Sequence, residues 1–179
     1  AVEFGEGVAF FSLEMTDMEL TDRLIASESG ISADKLKGKV KMNPEEWVVL
    51  EQSIKRLVKA PLYIDETPGI TLTEFTAKAK RLVREKGVKI IFVDYLQLMH
   101  SGKPQQGGFS KVQEVTEISN TLKTTAKDLK VPIIALAQLN RNLMSRAGSN
   151  GKPVLSDLKD SGSIEQDADM VIFIHRPGM

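Results

Sequence analysis

Four stretches of this chain place a chemically capable polar residue directly after an apolar run. Phe10-Phe11-Ser12-Leu13-Glu14-Met15 carries a carboxylate there, and Lys89-Ile90-Ile91-Phe92-Val93-Asp94-Tyr95 carries another. Ile133-Ile134-Ala135-Leu136-Ala137-Gln138 ends on a carboxamide, and residues 156–169 mix small residues and acids around Lys159. Apolar runs of this kind read as strands of an open parallel sheet, in which ligands bind beyond the carboxyl ends. At such an end Glu14 can polarise a water for attack on a phosphate, or it can be an acidic residue in the first turn of the next helix. Asp94 can sit near a magnesium that bridges nucleotide phosphates, usually through water, or it can cap a helix. Leu62-Tyr63-Ile64-Asp65 repeats that shape on a shorter strand, so the pattern alone does not decide. Gln138 can report on a γ-phosphate by hydrogen bonding, or it can simply end its strand. In the last stretch Lys159, Asp160, Ser161 and Gly162 offer charge, backbone amides and close approach to a phosphate backbone, with a solvated acidic loop as the rival reading.

Other chemistries find less support. Cysteine is absent, which excludes disulfides, thiolate zinc sites and a cysteine nucleophile, and is compatible with a reducing cytosol. His100 and His175 lie far apart with no suitably spaced partners, so a metal site built by the protein alone is not expected. No apolar run approaches the roughly 20 residues of a membrane helix, and the start of the chain lacks a signal pattern. Lys+Arg and Asp+Glu are 24 each, so a polyanionic partner must be met by a local patch. Residues 101–152 are where that patch is expected, with 8 basic against 3 acidic groups.

The elements that must position these residues are legible. At 179 residues, 41% hydrophobic and 27% charged, the chain has the size and composition of one globular domain with a sizeable core. Val8–Leu13, Leu62–Asp65, Val88–Leu98, Val131–Ala137 and Met170–Ile174 are the expected strands, covered on both faces. Thr16 with Glu19, Asn43-Pro44-Glu45-Glu46, and Thr71 with Glu74 mark three helix starts, and Gly30 and Gly87 mark two stops. A fourth helix is expected from about Lys111 to Lys130. Strands alternating with helices specify an α/β fold with a largely parallel sheet.

Taken in order, Ser12-Leu13-Glu14-Met15, Asp65-Glu66-Thr67-Pro68-Gly69, Phe92-Val93-Asp94-Tyr95-Leu96-Gln97-Leu98-Met99, Ala135 through Arg141 and residues 156–169 resemble the DnaB family of bacterial replicative helicases. The resemblance covers almost the whole chain. It implies a RecA-like P-loop NTPase core, ATP and magnesium, a homo-hexameric ring around single-stranded DNA, and duplex unwinding at the fork in the cytoplasm. Primase and a helicase loader are the further partners it implies. Under it Glu14 orients the attacking water, Asp94 is the Walker B group, Gln138 senses the γ-phosphate, and Lys159, Asp160, Ser161 and Gly162 hold the DNA backbone. Lys159 and Asp160 stand where the family often has Arg and Glu, which keeps the charges but loses the planar guanidinium fork.

The family's phosphate loop, Gly-x-x-x-x-Gly-Lys-Ser/Thr, does not occur in these residues and is expected before Ala1. The arginine-finger segment is expected after Met179. Residues 1–179 thus read as a partial ATPase domain, incomplete at both ends and inactive alone. The alternatives are another RecA-like ATPase, such as a recombinase or a KaiC-like protein, and a non-catalytic module that binds a loader or an inhibitor.

Overall fold

The computed structural model describes residues 1–102, 110–139, 152–155, 157–158 and 162–176. Strands β1 (Gly7–Ser12), β2 (Leu62–Asp65), β3 (Val88–Asp94) and β4 (Ile133–Ala135) form one sheet in the order β2-β1-β3-β4, every neighbouring pair parallel. Parallel neighbours require long crossovers, which helices supply here. Helices α1 (Asp17–Ser29), α2 (Ala33–Leu36) and α3 (Pro44–Lys59) connect β1 to β2. Helix α4 (Leu72–Lys86) connects β2 to β3, and α5 (Lys111–Leu129) connects β3 to β4. A short helix, α6 (Gly162–Asp167), follows.

The three expected helix starts all form reciprocal capping boxes, at Thr16 with Glu19, Asn43 with Glu46, and Thr71 with Glu74. Gly30 and Gly87 close α1 and α4 with φ of 69° and 65°, the left-handed conformation that a residue without Cβ adopts at little cost. Gly7 serves a different need. A Cβ there would come within 3.0 Å of the Gly87 carbonyl oxygen and Val88 Cα, where β1 and β3 begin side by side.

The core lies on one face of the sheet. Ala9 and Phe11 of β1 and Ile91 and Val93 of β3 are fully buried against Phe75 and Ala79 of α4 and Ile118 and Leu122 of α5. The Phe11 and Phe75 rings meet edge to face at 4.8 Å. Cover on both faces, as the unbroken apolar runs suggest, is not what the described residues show. Phe10 and Phe92 stack at 5.9 Å on the opposite face and are only half-buried, as are Val8 and Ile90.

Three strand ends also differ from expectation. β3 stops at Asp94 because the chain then curls into a 3-10 turn, Leu96–Leu98, that buries Leu96 and Met99. Among the described residues β4 pairs on one side only, and its ladder is confined to Ile133–Ala135. Residues 170–174 form no ladder among the described residues, and Met170, Ile172 and Ile174 are 77%, 79% and 92% exposed. No helix of the described residues is long and apolar enough to cross a membrane.

Candidate active site

Register brings the first two candidate residues to one edge. Ser12 of β1 lies opposite Asp94 of β3, and the Leu13 N–H donates to the Asp94 carbonyl at 2.8 Å. The Ser12 hydroxyl, 2% exposed, donates to the Met15 carbonyl at 2.7 Å and folds the residues after β1 into a turn. Leu13 is buried in the core and Glu14 is left exposed. The other side of that turn is fixed by α1, whose Asp17 N–H donates to Glu66 Oε2 at 2.7 Å. Glu14 itself makes no hydrogen bond or ion pair among the described residues, so its carboxylate remains available to a water or a ligand.

The two strand-end aspartates, alike in sequence, differ in surroundings. Asp65 ends β2 and is closed off by its own fold. Lys78 Nζ reaches its two oxygens at 3.0 and 2.6 Å and Thr67 Oγ1 at 2.6 Å, while the Thr67 N–H donates to Asp65 Oδ1 at 3.1 Å. Partial burial works to raise the Asp65 carboxyl, but the Lys78 and Thr67 hydrogen bonds outweigh it and hold the group below its ordinary value. Asp94 ends β3, is half-buried, and its carboxylate takes no hydrogen bond among the described residues. Asp94 is joined to Tyr95 by a cis peptide bond.

Gln138 stands just past β4 at the same edge, two residues beyond Leu136, whose N–H donates to the Val93 carbonyl at 2.9 Å. Its backbone is held by Gln97, a residue of the Phe92–Met99 motif to which the sequence assigned no role. Gln97 Nε2 donates to the Gln138 carbonyl at 3.1 Å, and the Gln138 N–H donates to Gln97 Oε1 at 3.2 Å. Lys111 Nζ in turn donates to the Gln97 carbonyl at 3.2 Å and to Glu114 Oε2 at 3.0 Å. Glu114 is 6% exposed and also meets the Ser101 N–H and His100 Nδ1 at 3.4 Å. Its burial favours the neutral acid, yet the Lys111 hydrogen bond and charge, then Ser101 and His100, hold its carboxyl below the usual glutamate range. Ser12, Glu66, Gln97, Lys111 and Glu114 were not singled out in the sequence. For Ser12, Glu66 and Gln97 the available signal was their place in the motifs that carry the family resemblance.

Of the DNA-loop candidates, Lys159, Asp160 and Ser161 lie outside the described residues, as do Lys103, Arg141 and Arg146 of the basic stretch. Gly162 opens α6, where an open loop was expected. A Cβ at Gly162 would meet open space, so packing among the described residues does not require glycine there. Helix α6 rests on α5 through Ile164, through the Ser119 hydroxyl donating to the Ser163 carbonyl at 3.5 Å, and through a Lys123–Asp169 ion pair just beyond its end.

A magnesium that bridges phosphates takes one or two carboxylates and keeps water and phosphate oxygens for the rest of its shell. The unpartnered strand-end carboxylate of Asp94 fits that demand. Among the described residues no group of three or more His, Asp or Glu side chains could cage an ion. The edge therefore suits a metal delivered with a nucleotide, for which it would supply a carboxylate that neutralises charge on the phosphates.

Comparison with known proteins agrees with this geometry. The family model described as DnaB-like helicase C terminal domain matches residues 1–179. Replicative DNA helicase DnaB of Mycobacterium intracellulare is 46% identical over 168 residues, which are 93% of this chain and 28% of that protein. The Geobacillus stearothermophilus protein of the same name is 43% identical over 177 residues, 98% of this chain and 38% of that protein. Among solved structures, one described as an ATPase domain has a TM-score of 0.85 at 33% identity, covering 96% of this chain and 60% of that one. A DnaB-like replicative helicase, described with its interactions with primase, has a TM-score of 0.82 at 34% identity, covering 92% of this chain and 39% of that one. The chain thus spans 28–38% of these two curated relatives. The family match extends over all 179 residues, and the chain belongs to the DnaB-like helicase C-terminal domains.

Proposed function

We propose that this chain is part of the ATPase domain of a hexameric replicative helicase, which couples ATP hydrolysis to movement along single-stranded DNA and duplex unwinding in the cytoplasm. The observation that carries the reading is that Asp94 ends β3 opposite Ser12 and Glu14 follows two residues after Ser12 at the same end of the sheet, both carboxylates unbound among the described residues, while the similar Asp65 is tied to Lys78. In this reading Glu14 orients and polarises the attacking water. Asp94 holds the magnesium that accompanies ATP, and Gln138 senses the γ-phosphate. The amides and lysine of a phosphate loop are supplied by residues outside this chain. Primase is a partner, in keeping with the relative described with its interactions with primase, and a loader places the ring on DNA. The family match favours neither a recombinase nor a module without catalysis.

Lys159, Asp160, Ser161 and Gly162 form the contact to the DNA backbone. The surrounding acids Asp157, Glu165, Asp167 and Asp169 argue against a broad basic patch, so the contact is geometric and depends on ring assembly. The test is unwinding of a forked DNA by the full-length helicase, with Lys159→Ala compared. Lys159→Ala is expected to keep basal ATPase activity and to lose DNA-stimulated hydrolysis. Its salt slope for single-stranded DNA falls by about 0.7 for each phosphate it no longer neutralises. Wild-type affinity and slope in the variant would move the DNA path to the basic stretch between Lys103 and Lys152.

A further inference from the structure

Gln138 lies beyond the last residue of the β4 ladder, where no neighbouring strand fixes its backbone among the described residues. A γ-phosphate sensor must nevertheless be held to a fraction of an ångström, because displacement by about 1 Å can cost a hundredfold in rate. Gln97 fills the place of the missing strand. A side-chain carboxamide offers one face with both a donor and an acceptor, as a peptide unit does. That face closes on the N–H and C=O of the same residue, Gln138, at 3.2 and 3.1 Å.

Gln97 is itself well anchored. It lies in the 3-10 turn three residues after Asp94, and the preceding Leu96 N–H donates to the Leu136 carbonyl at 3.0 Å. Its carbonyl accepts from Lys111, which the buried Glu114 fixes at the start of α5. A continuous set of hydrogen bonds therefore runs from the first turn of α5 through Gln97 to the backbone of Gln138.

We infer that Gln97 is a positioning residue for Gln138, and that Lys111 and Glu114 make the start of α5 the element through which that position is set. The inference rests on the proposed sensor role of Gln138 and names what holds the sensor in place. Gln97 acts through Gln138 and touches no nucleotide.

The experiment compares Gln97→Met, Gln138→Ala and the double variant in the full-length hexameric helicase, by steady-state ATP hydrolysis with and without single-stranded DNA. Methionine keeps the length and packing of Gln97 and removes both hydrogen bonds. Gln97→Met is expected to lower kcat about tenfold while the KM for ATP stays within about twofold, the split expected when an interaction matters in the transition state and not in binding. The double variant is expected to be no slower than Gln138→Ala, since the two residues act as one unit. Gln97→Asn, which keeps the carboxamide but is one methylene short, should reproduce the loss and serves if the methionine variant does not assemble. Wild-type kcat in Gln97→Met, or losses that multiply in the double variant, would overturn the inference while a slow Gln138→Ala left the sensor reading standing. Wild-type hydrolysis and DNA stimulation in Gln138→Ala would remove the sensor reading and the inference together.

Discussion

Asp65 and Asp94 flank β1 at the same edge of the sheet, and only their neighbours tell them apart. Asp65 is a structural acid with a depressed pKa, so its contribution to stability has a definite sign with pH. The contribution is complete above the unfolded value of about 3.9 and is lost as the pH falls through the lower folded value. Lys78→Met is therefore expected to destabilise the fold by about 1–2 kcal/mol near neutral pH and to flatten the loss of stability below about pH 4. Urea unfolding of both proteins across that range provides the check; parallel pH profiles would mean that the Lys78–Asp65 pair contributes nothing. Glu14 and Asp94 stand out in the sequence because each comes at the end of an apolar run. The separation of Asp94 from Asp65 could not be seen there, because it depends on Lys78, 13 residues beyond Asp65 and on another element.

At the scale of elements, what was local in sequence was legible. The capping boxes join residues three apart and set the predicted helix starts, while single glycines, Gly30 and Gly87, set the α1 and α4 stops. Helices α2 and α6 have 4 and 6 residues, too few to show an apolar period. The end of β3 is not legible, because Tyr95–Leu98 continues the apolar run while its backbone turns to bury Leu96. The clasp of Gln97 on Gln138 spans 41 residues and leaves no periodic trace. Helix α3 carries a testable defect of its own. Ser53 is fully buried and its hydroxyl has no hydrogen-bond partner among the described residues. Ser53→Ala removes an unsatisfied polar group and improves helix propensity, so a gain of about 1 kcal/mol is expected in thermal or urea unfolding. A loss of stability would mean that the hydroxyl is satisfied in solution.

For the molecule as a whole, the sheet edge brings the two unpartnered acids and Gln138 to one side, and the helices α4 and α5 hold that edge from a single face. These residues include no phosphate loop. The purified 179-residue chain is accordingly expected to hydrolyse ATP negligibly, because Glu14 and Asp94 have no triphosphate positioned between them. Robust magnesium-dependent turnover by this chain would refute that division of labour. The proposed function stands or falls with Glu14 as the residue that converts bound ATP into motion along DNA. The most direct measurement is Glu14→Gln in the full-length helicase, read by nucleotide binding, hydrolysis and forked-DNA unwinding together. Glutamine keeps the size of the side chain but cannot polarise the water. Wild-type ATP binding, hydrolysis reduced by at least about a hundredfold, and no unwinding are the expected results. ATP turnover near the wild-type rate would contradict the proposal and leave Glu14 as the opening of a helix.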